Sequence, residues 1–326
     1  MKPIFSFVAA ARNDDYGGNW INRLDTYVKM LAYQAKRTKT PCELVFVEYN
    51  PIPGKKLLAD ELSIPKNPYF ESRFIIVPPE FHQTLPGHEK THICEFIAKN
   101  IGAKRARGEW IVINNPDVVH GNDLFDFLAK GELDKNTYYR IARRDTCLEY
   151  FDPKLAPEEI LSLMASPKNL VRVLYNQITL YYSYKEWLFN VFIHGRTWGA
   201  FKRSPFFNRW KEVKTDDDTI AENAAGDFFM AHKEAWNKVN GYEEAVVLTG
   251  VMDGYMLYTL YCAGYKQRVL PYGLYHIYHH RKGVVYMASW HDYRTEKKKM
   301  LETKIPYKIN PPNWGNPAQN FKEILR

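Results

Sequence analysis

Long apolar runs are missing from this chain. The longest, 3–11 and 44–47, fall far short of the roughly 20 residues a helical membrane span needs. Cysteine is scarce as well: Cys42, Cys94, Cys147 and Cys262 lie far apart and form no CxxC pair. That excludes thiolate zinc knuckles and a disulfide-stapled secreted scaffold, and makes a reducing compartment the simpler expectation. Glycine does not cluster behind the first apolar run, where Gly17-Gly18 is a single pair rather than a phosphate-cradling loop. Nucleic-acid-binding motifs, internal repeats and low-complexity segments are also lacking. Residues 1–11 superficially imitate an export signal. With Pro3 at its head and Arg12-Asn13-Asp14-Asp15 directly behind, the run reads instead as a first buried strand.

The composition is that of a folded, water-soluble protein, and 326 residues suffice for one large domain or one domain with an appended lobe. Lys and Arg number 45 against 37 Asp and Glu, a moderate excess of +8 spread along the chain. The densest basic run, 294–304, also holds Glu296 and Glu302, so it reads as a solvated helix face. Contact with an anionic membrane surface is compatible with it. The excess as a whole suits an anionic small ligand, with no nucleic acid among the partners. A cytoplasmic location, at most peripheral to a membrane, is the expectation.

The first 130 residues alternate strand-like and helix-like stretches. Strands are expected at 4–11, 43–48, 73–77 and 109–114, and helices at 19–36 and 89–107. This alternation predicts an α/β fold with a mostly parallel central sheet flanked by helices. Ligands in such sheets sit beyond the carboxyl ends of the strands, which directs attention to 12–15, 48–50, 114–117 and the loop after Val269. Residues 155–190 read as helical and aromatic-rich, and periodicity fades over 194–223. A strand at 225–231, helices at 233–239 and 253–263, and a short strand at 267–270 follow. Four prolines between 306 and 317 suggest a wrapping tail.

Several residues at these places can do chemistry. Asn115-Pro116-Asp117 follows an apolar strand, so Asp117 stands at the binding edge, where a carboxylate can hold a divalent cation; a polar turn is the simpler alternative. His276 and His279, at i and i+3, can converge on one ion, with His280 competing for the second place and tyrosine-flanked packing as the alternative. Imidazole beside a carboxylate suits Mn²⁺ better than Mg²⁺. Arg281 and Lys282 could meet phosphate oxygens. Asp253, at the start of an apolar helix, is a candidate general base or simply a helix cap. Gly226-Asp227 can bring backbone close to a ligand or close a loop contact. Glu48 is placed to accept from a base or ribose hydroxyl, with Arg12 and Asp14 nearby. Trp198, Phe201 and Trp210 are candidates for stacking on sugar rings.

The order of these motifs is familiar. The stretches 7–14, 43–51 and 99–117, followed by Gly226-Asp227-Phe228-Phe229-Met230-Ala231, Val239-Asn240-Gly241-Tyr242, Met252-Asp253 and Ala263-Gly264-Tyr265, resemble family 2-like glycosyltransferases with the GT-A fold. The resemblance implies a single GT-A domain over 1–326. Its nucleotide-sugar half would be 1–130 and its acceptor half 131–285, with a helical insertion at about 150–220. A C-terminal helix and tail would occupy 286–326. It implies transfer, with inversion, of a sugar from a UDP-, GDP- or dTDP-linked donor to a hydroxyl of a glycan, glycoprotein or lipid-linked saccharide. Asn115-Pro116-Asp117 matches an Asn-Pro-Asp variant of the Asp-x-Asp metal motif, so Asp117, His276 and His279 would hold Mn²⁺ or Mg²⁺. Asp253 would be the base and Asp227 would orient a sugar. Met252 stands where the family places Glu. Ala11, Arg12, Asp14, Glu48, Asn100, Arg105 and Asn115 would face the nucleotide-sugar; His280, Arg281 and Trp198 would contact phosphate or acceptor. A sugar-nucleotide pyrophosphorylase and a silent carbohydrate-binding relative are the competing readings.

Overall fold

The computed structural model describes residues 1–175, 178–185, 187–188, 191, 220–244, 251–280 and 290–326. In chain order the elements begin with β1 (Phe5–Ala11), α1 (Trp20–Thr38), β2 (Cys42–Tyr49), α2 (Leu58–Glu61), β3 (Phe70–Val77) and α3 (Pro79–Gln83). They continue with α4 (Glu95–Arg105), β4 (Trp110–Ile113), β5 (Val118–His120), α5 (Asn122–Lys130), β6 (Thr137–Ile141), β7 (Arg143–Thr146) and α6 (Pro157–Ala165). Then come β8 (Leu170–Tyr175), β9 (Ile178–Tyr181), β10 (Phe229–His232), α7 (Lys233–Val239) and α8 (Met252–Cys262). The last are β11 (Lys266–Leu270), β12 (Leu274–His276), α9 (Trp290–Thr303) and β13 (Lys322–Leu325).

Eight strands form the central sheet in the order β11-β6-β10-β4-β1-β2-β3-β13. The pairs β4–β1, β1–β2, β2–β3 and β6–β11 are parallel; β10 and β13 run against their neighbours. β1 and β2 are buried at every position because helices cover both faces, which is why they read as continuous apolar runs. One core packs α4, α7 and α8 against one face, and a second packs α1 and α5 against the other. Gly102 on α4 allows the close approach: a Cβ there would stand 2.5 Å from Val8 Cγ1.

A smaller five-stranded sheet, β5-β12-β7-β8-β9, was not foreseen. It corrects the helical reading of 155–190 over the β8–β9 hairpin, while α6 and the described residues 184, 185, 187 and 188 are helical as expected. The aliphatic and β-branched residues of Leu170–Tyr175 and Ile178–Tyr181 prefer the half-buried pleat. The helix expected from residue 89 starts at Glu95, after a 3-10 turn at His88–Lys90. The tail wraps as expected and ends in β13, which covers the open edge of β3. Among the described residues no helix is long and apolar enough to cross a membrane.

Candidate active site

The two sheets meet where β4 ends. Asp117 sits in the tight connection between β4 and β5, and β5 pairs antiparallel with β12, placing His276 opposite Val118. The Ile277 amide donates to the Asp117 carbonyl at 2.9 Å, so the backbone itself fixes the separation of these distant segments. Asp117 Oδ2 then lies 3.7 Å from His276 Nε2 and 3.3 Å from His279 Nε2. One ligand atom from each of the three residues lies within 4.8 Å of the others, and this is the one such group among the described residues. Ligands about 2.1 Å from a common cation are at most about 4.2 Å apart, so a small contraction suffices.

The donor chemistry also fits a cation. Asp117 is 6% exposed, yet its Oδ1 has no hydrogen-bond partner, an acceptor that burial would otherwise leave at a cost of about 1–3 kcal/mol. Burial alone would raise its pKa; the two imidazoles hold it well below the ordinary carboxylate value. Burial and the Arg143 charge would lower the His276 pKa, but Asp117 and Asp145 keep it above the usual value. It is His279, not His280, that reaches Asp117. His280 is exposed and edge-on to Tyr278. Arg281 and Trp198 lie outside the described residues.

The loop after β1 closes over His279. Asp15, Gly17, Gly18 and Asn19 are all left-handed, and Tyr16 packs its ring 5.2 Å from that of His279. Gly17 has no alternative: a Cβ would stand 2.7 Å from His279 Nδ1 and 2.8 Å from the His280 carbonyl. Arg23, from the first turns of α1, is fully buried beneath this loop and donates to the carbonyls of Tyr16 and Gly18. Its Nη1 is 3.5 Å from Asp117 Oδ2, and burial lowers its pKa. The sequence reading missed Arg23, although a charge sharing the apolar stripe of Trp20, Leu24, Tyr27 and Val28 was the available signal.

The other expected residues divide. Ala11 and Glu48 are register partners at the ends of β1 and β2. Arg12 donates to the Asn50 carbonyl at 2.7 Å and faces Asp14 at 3.9 Å. Glu48 is fully buried; its Oε2 accepts from the Leu58 amide at the start of α2, and burial pushes its pKa up to about 7. Asn115 is turned inward. Its amide donates to Asp227 Oδ1 at 2.7 Å and accepts from the buried Lys99 Nζ at 2.8 Å, so both ends are spent within the protein. Asp227, 2% exposed, accepts from Asn115 and from Arg143 at 2.7 Å, which makes it a brace rather than a contact for a sugar.

Asn100 and Arg105 are not brought to the cluster. Asn100 bonds the Tyr242 backbone and Glu244, while Arg105 holds the tail through the carbonyls of Gly315, Asn316 and Gln319. Asp253, at the second position of α8, is half-buried. Its oxygens accept from the amides of Gly226 at 3.0 Å and Gly254 at 2.9 Å, and desolvation raises its pKa to about 6. Gly226 connects it to the Asp117 loop, since a Cβ there would lie 3.6 Å from Asn115 Nδ2.

No protein-family model and no curated protein matches the chain. Among solved structures it is similar to the catalytic domain of Drosophila beta1,4galactosyltransferase 7 in complex with xylobiose, at 11% identity and a TM-score of 0.43, over 94% of this chain and 82% of that one. A structure of GalNAc-T7 with UDP, GalNAc and Mn²⁺ aligns at 14% identity and a TM-score of 0.46, over 86% of this chain and 44% of that one. Residues 1–349 of S. aureus TarS in complex with UDP-GlcNAc align at 13% and 0.44, over 97% of this chain and 69% of that one. The chain thus spans less than half the length of the GalNAc-T7 chain.

Proposed function

We propose that the protein is a metal-dependent glycosyltransferase of the GT-A type, one domain that moves a sugar from a nucleoside-diphosphate donor to an acceptor hydroxyl with inversion. The observation that carries the reading is the convergence of Asp117, His276 and His279 where the two sheets meet, beside the loop that follows β1. A divalent cation bound there supplies counter-charge to a diphosphate leaving group. Asp117, His276 and His279 would hold it, with Mn²⁺ favoured by two imidazoles in the set. Arg12 and Asp14, just past the end of β1, would face base and ribose, and the buried Glu48 would act by holding the start of α2 through the Leu58 amide. Asp253 would take the acceptor proton: its raised pKa of about 6 makes it a stronger base than an ordinary aspartate while it stays ionised at neutral pH. Asp227 and Lys99 act through Asn115, holding the Asp117 loop in shape. A glycan, glycoprotein or lipid-linked saccharide is the acceptor class.

The test is release of UDP or GDP from nucleotide-sugars with and without Mn²⁺. Asp117→Ala and Asp253→Asn should each lower transfer by at least 100-fold. If both variants stay within a few-fold of wild type, the site is wrongly placed. One observation favours a silent carbohydrate-binding protein instead: the Arg23 guanidinium already stands 3.5 Å from Asp117 Oδ2 and could serve as a permanent counter-charge. On that reading Mn²⁺ neither raises the melting temperature nor releases nucleotide.

A further inference from the structure

Behind the Asp117 cluster lies a buried polar set that the sugar-transfer reading leaves without a task. Asp145 on β7 is in register with His276 on the parallel neighbour β12, so the two side chains share a face of the small sheet. Asp145 Oδ1 is 3.3 Å from His276 Nδ1, on the opposite side of the ring from Asp117. Two arginines hold the carboxylate: Arg143 Nε at 2.8 Å, and Arg172 Nε from the β8–β9 hairpin at 2.5 Å. Arg143 also reaches Asp227 at 2.7 Å. Asp145 is 6% exposed, so water does not compete for it.

We infer that Asp145 is a positioning residue that sets the tautomer of His276: its Oδ1 accepts from Nδ1–H, keeping the proton on that nitrogen and leaving the Nε2 lone pair aimed beside Asp117. A neutral imidazole has one N–H and one lone pair, and the partner of one nitrogen decides the state of the other. Asp117 Oδ2 is a poor competitor for the proton, because it is shared among Arg23, His276 and His279. Asp145 Oδ1 also faces Arg143 Nε at 2.8 Å, but it stands nearer the imidazole than Asp117 Oδ2 does, 3.3 Å against 3.7 Å. The hairpin thereby gains a role at the cluster, since Arg172 holds the carboxylate that orients the histidine. The inference rests on the metal-dependent reading, but its test separates the two.

The ¹⁵N shifts of His276 are read in the metal-free protein at a pH above the end of that ring's own observed titration, where it is neutral, and Mn²⁺ affinity is read by counting free Mn²⁺ with electron paramagnetic resonance. Wild type should show Nδ1–H with a bare Nε2. Asp145→Ala should lose that preference and weaken Mn²⁺ binding 10- to 100-fold. Asp145→Asn keeps an acceptor oxygen, and should keep the tautomer and lose less than about tenfold. Asp145→Ala strands two arginines; if it does not fold, wild type and Asp145→Asn decide the matter. An Nε2–H tautomer in wild type, or an unchanged Nδ1–H tautomer in Asp145→Ala, overturns the role. A wild type that shows the expected tautomer but binds no Mn²⁺ sinks the metal reading and leaves the role of Asp145 supported.

Discussion

Gly17 and Gly18 offer a paired perturbation of the cluster. Both are left-handed, at φ +71° and +78°, so alanine at either position carries the same backbone penalty of about 1–2 kcal/mol. Their surroundings differ. A Cβ on Gly18 meets nothing within 4 Å, whereas on Gly17 it would stand 2.7 Å from His279 Nδ1 and 2.8 Å from the His280 carbonyl. Relieving that overlap means moving the loop or the imidazole by several tenths of an ångström, a further strain of about 1–3 kcal/mol. The imidazole is the softer element, because its ring is held by contacts with Tyr16, His276 and the Asp117 carboxylate rather than by backbone pairing. Gly18→Ala should therefore lower stability modestly in chemical denaturation and leave Mn²⁺ affinity within about twofold. Gly17→Ala should be less stable by about 2–5 kcal/mol and lose Mn²⁺ affinity about tenfold or more, since a displaced ligand is equivalent to a weakened one. Calorimetric titration with Mn²⁺ reads the second quantity independently of the first. Equal losses of affinity in the two variants would refute the reasoning, as would Gly17→Ala binding with wild-type affinity.

The pH profile tests Asp253. Its folded pKa of about 6 lies above the ordinary 3.8, so the rate should rise with pH through about 6 and level off above 7, and Asp253→Asn should abolish that limb with at least a 100-fold loss of rate. The sign for stability is the reverse. A carboxyl with a raised folded pKa favours the fold while protonated and loses that contribution as pH rises from about 4 to about 6, so Asp253→Asn should be more stable than wild type at pH 7 and not at pH 3. Trp314, 1% exposed, packs in the tail near Trp236 and the Gly241 turn, away from the cluster; Trp314→Ala should lose about 3–5 kcal/mol in denaturant while Mn²⁺ affinity stays within twofold. Lys99→Met removes the buried donor that holds Asn115 Oδ1 at 2.8 Å and should lower kcat more than it changes Mn²⁺ affinity. An equal fall in both would mean that Lys99, through Asn115, sets the place of Asp117 itself.

The parallel core was legible because β1, β2, β3 and β4 are covered on both faces and so appear as apolar runs bounded by turn residues. The small sheet was not, and its physics explains why. β5 and β12 are three residues each, too short for a period to show, and β7 reads Arg143-Arg144-Asp145-Thr146, a polar string. Arg143 and Asp145 are buried not by hydrophobicity but against charged partners from elsewhere, Asp227 and Arg172, 84 and 27 residues away in the chain. The same asymmetry runs through the site. Asp117, His276 and His279 stood out because their side-chain chemistry is uncommon at such positions, and the β5–β12 pairing brings them within ligand distance. Asn115 stood out too, but whether an amide faces a cleft or a core depends on Lys99 and Asp227, and neither lies beside it in the chain. The resemblance sets Asn100 and Arg105 toward the nucleotide-sugar, whereas the partners that claim them are Tyr242, Glu244 and a tail more than two hundred residues away from Arg105. Strand formation can be anticipated from one segment's own pattern. The partner of a buried polar side chain is a property of two segments at once, and it becomes legible only when the fold has set both in place.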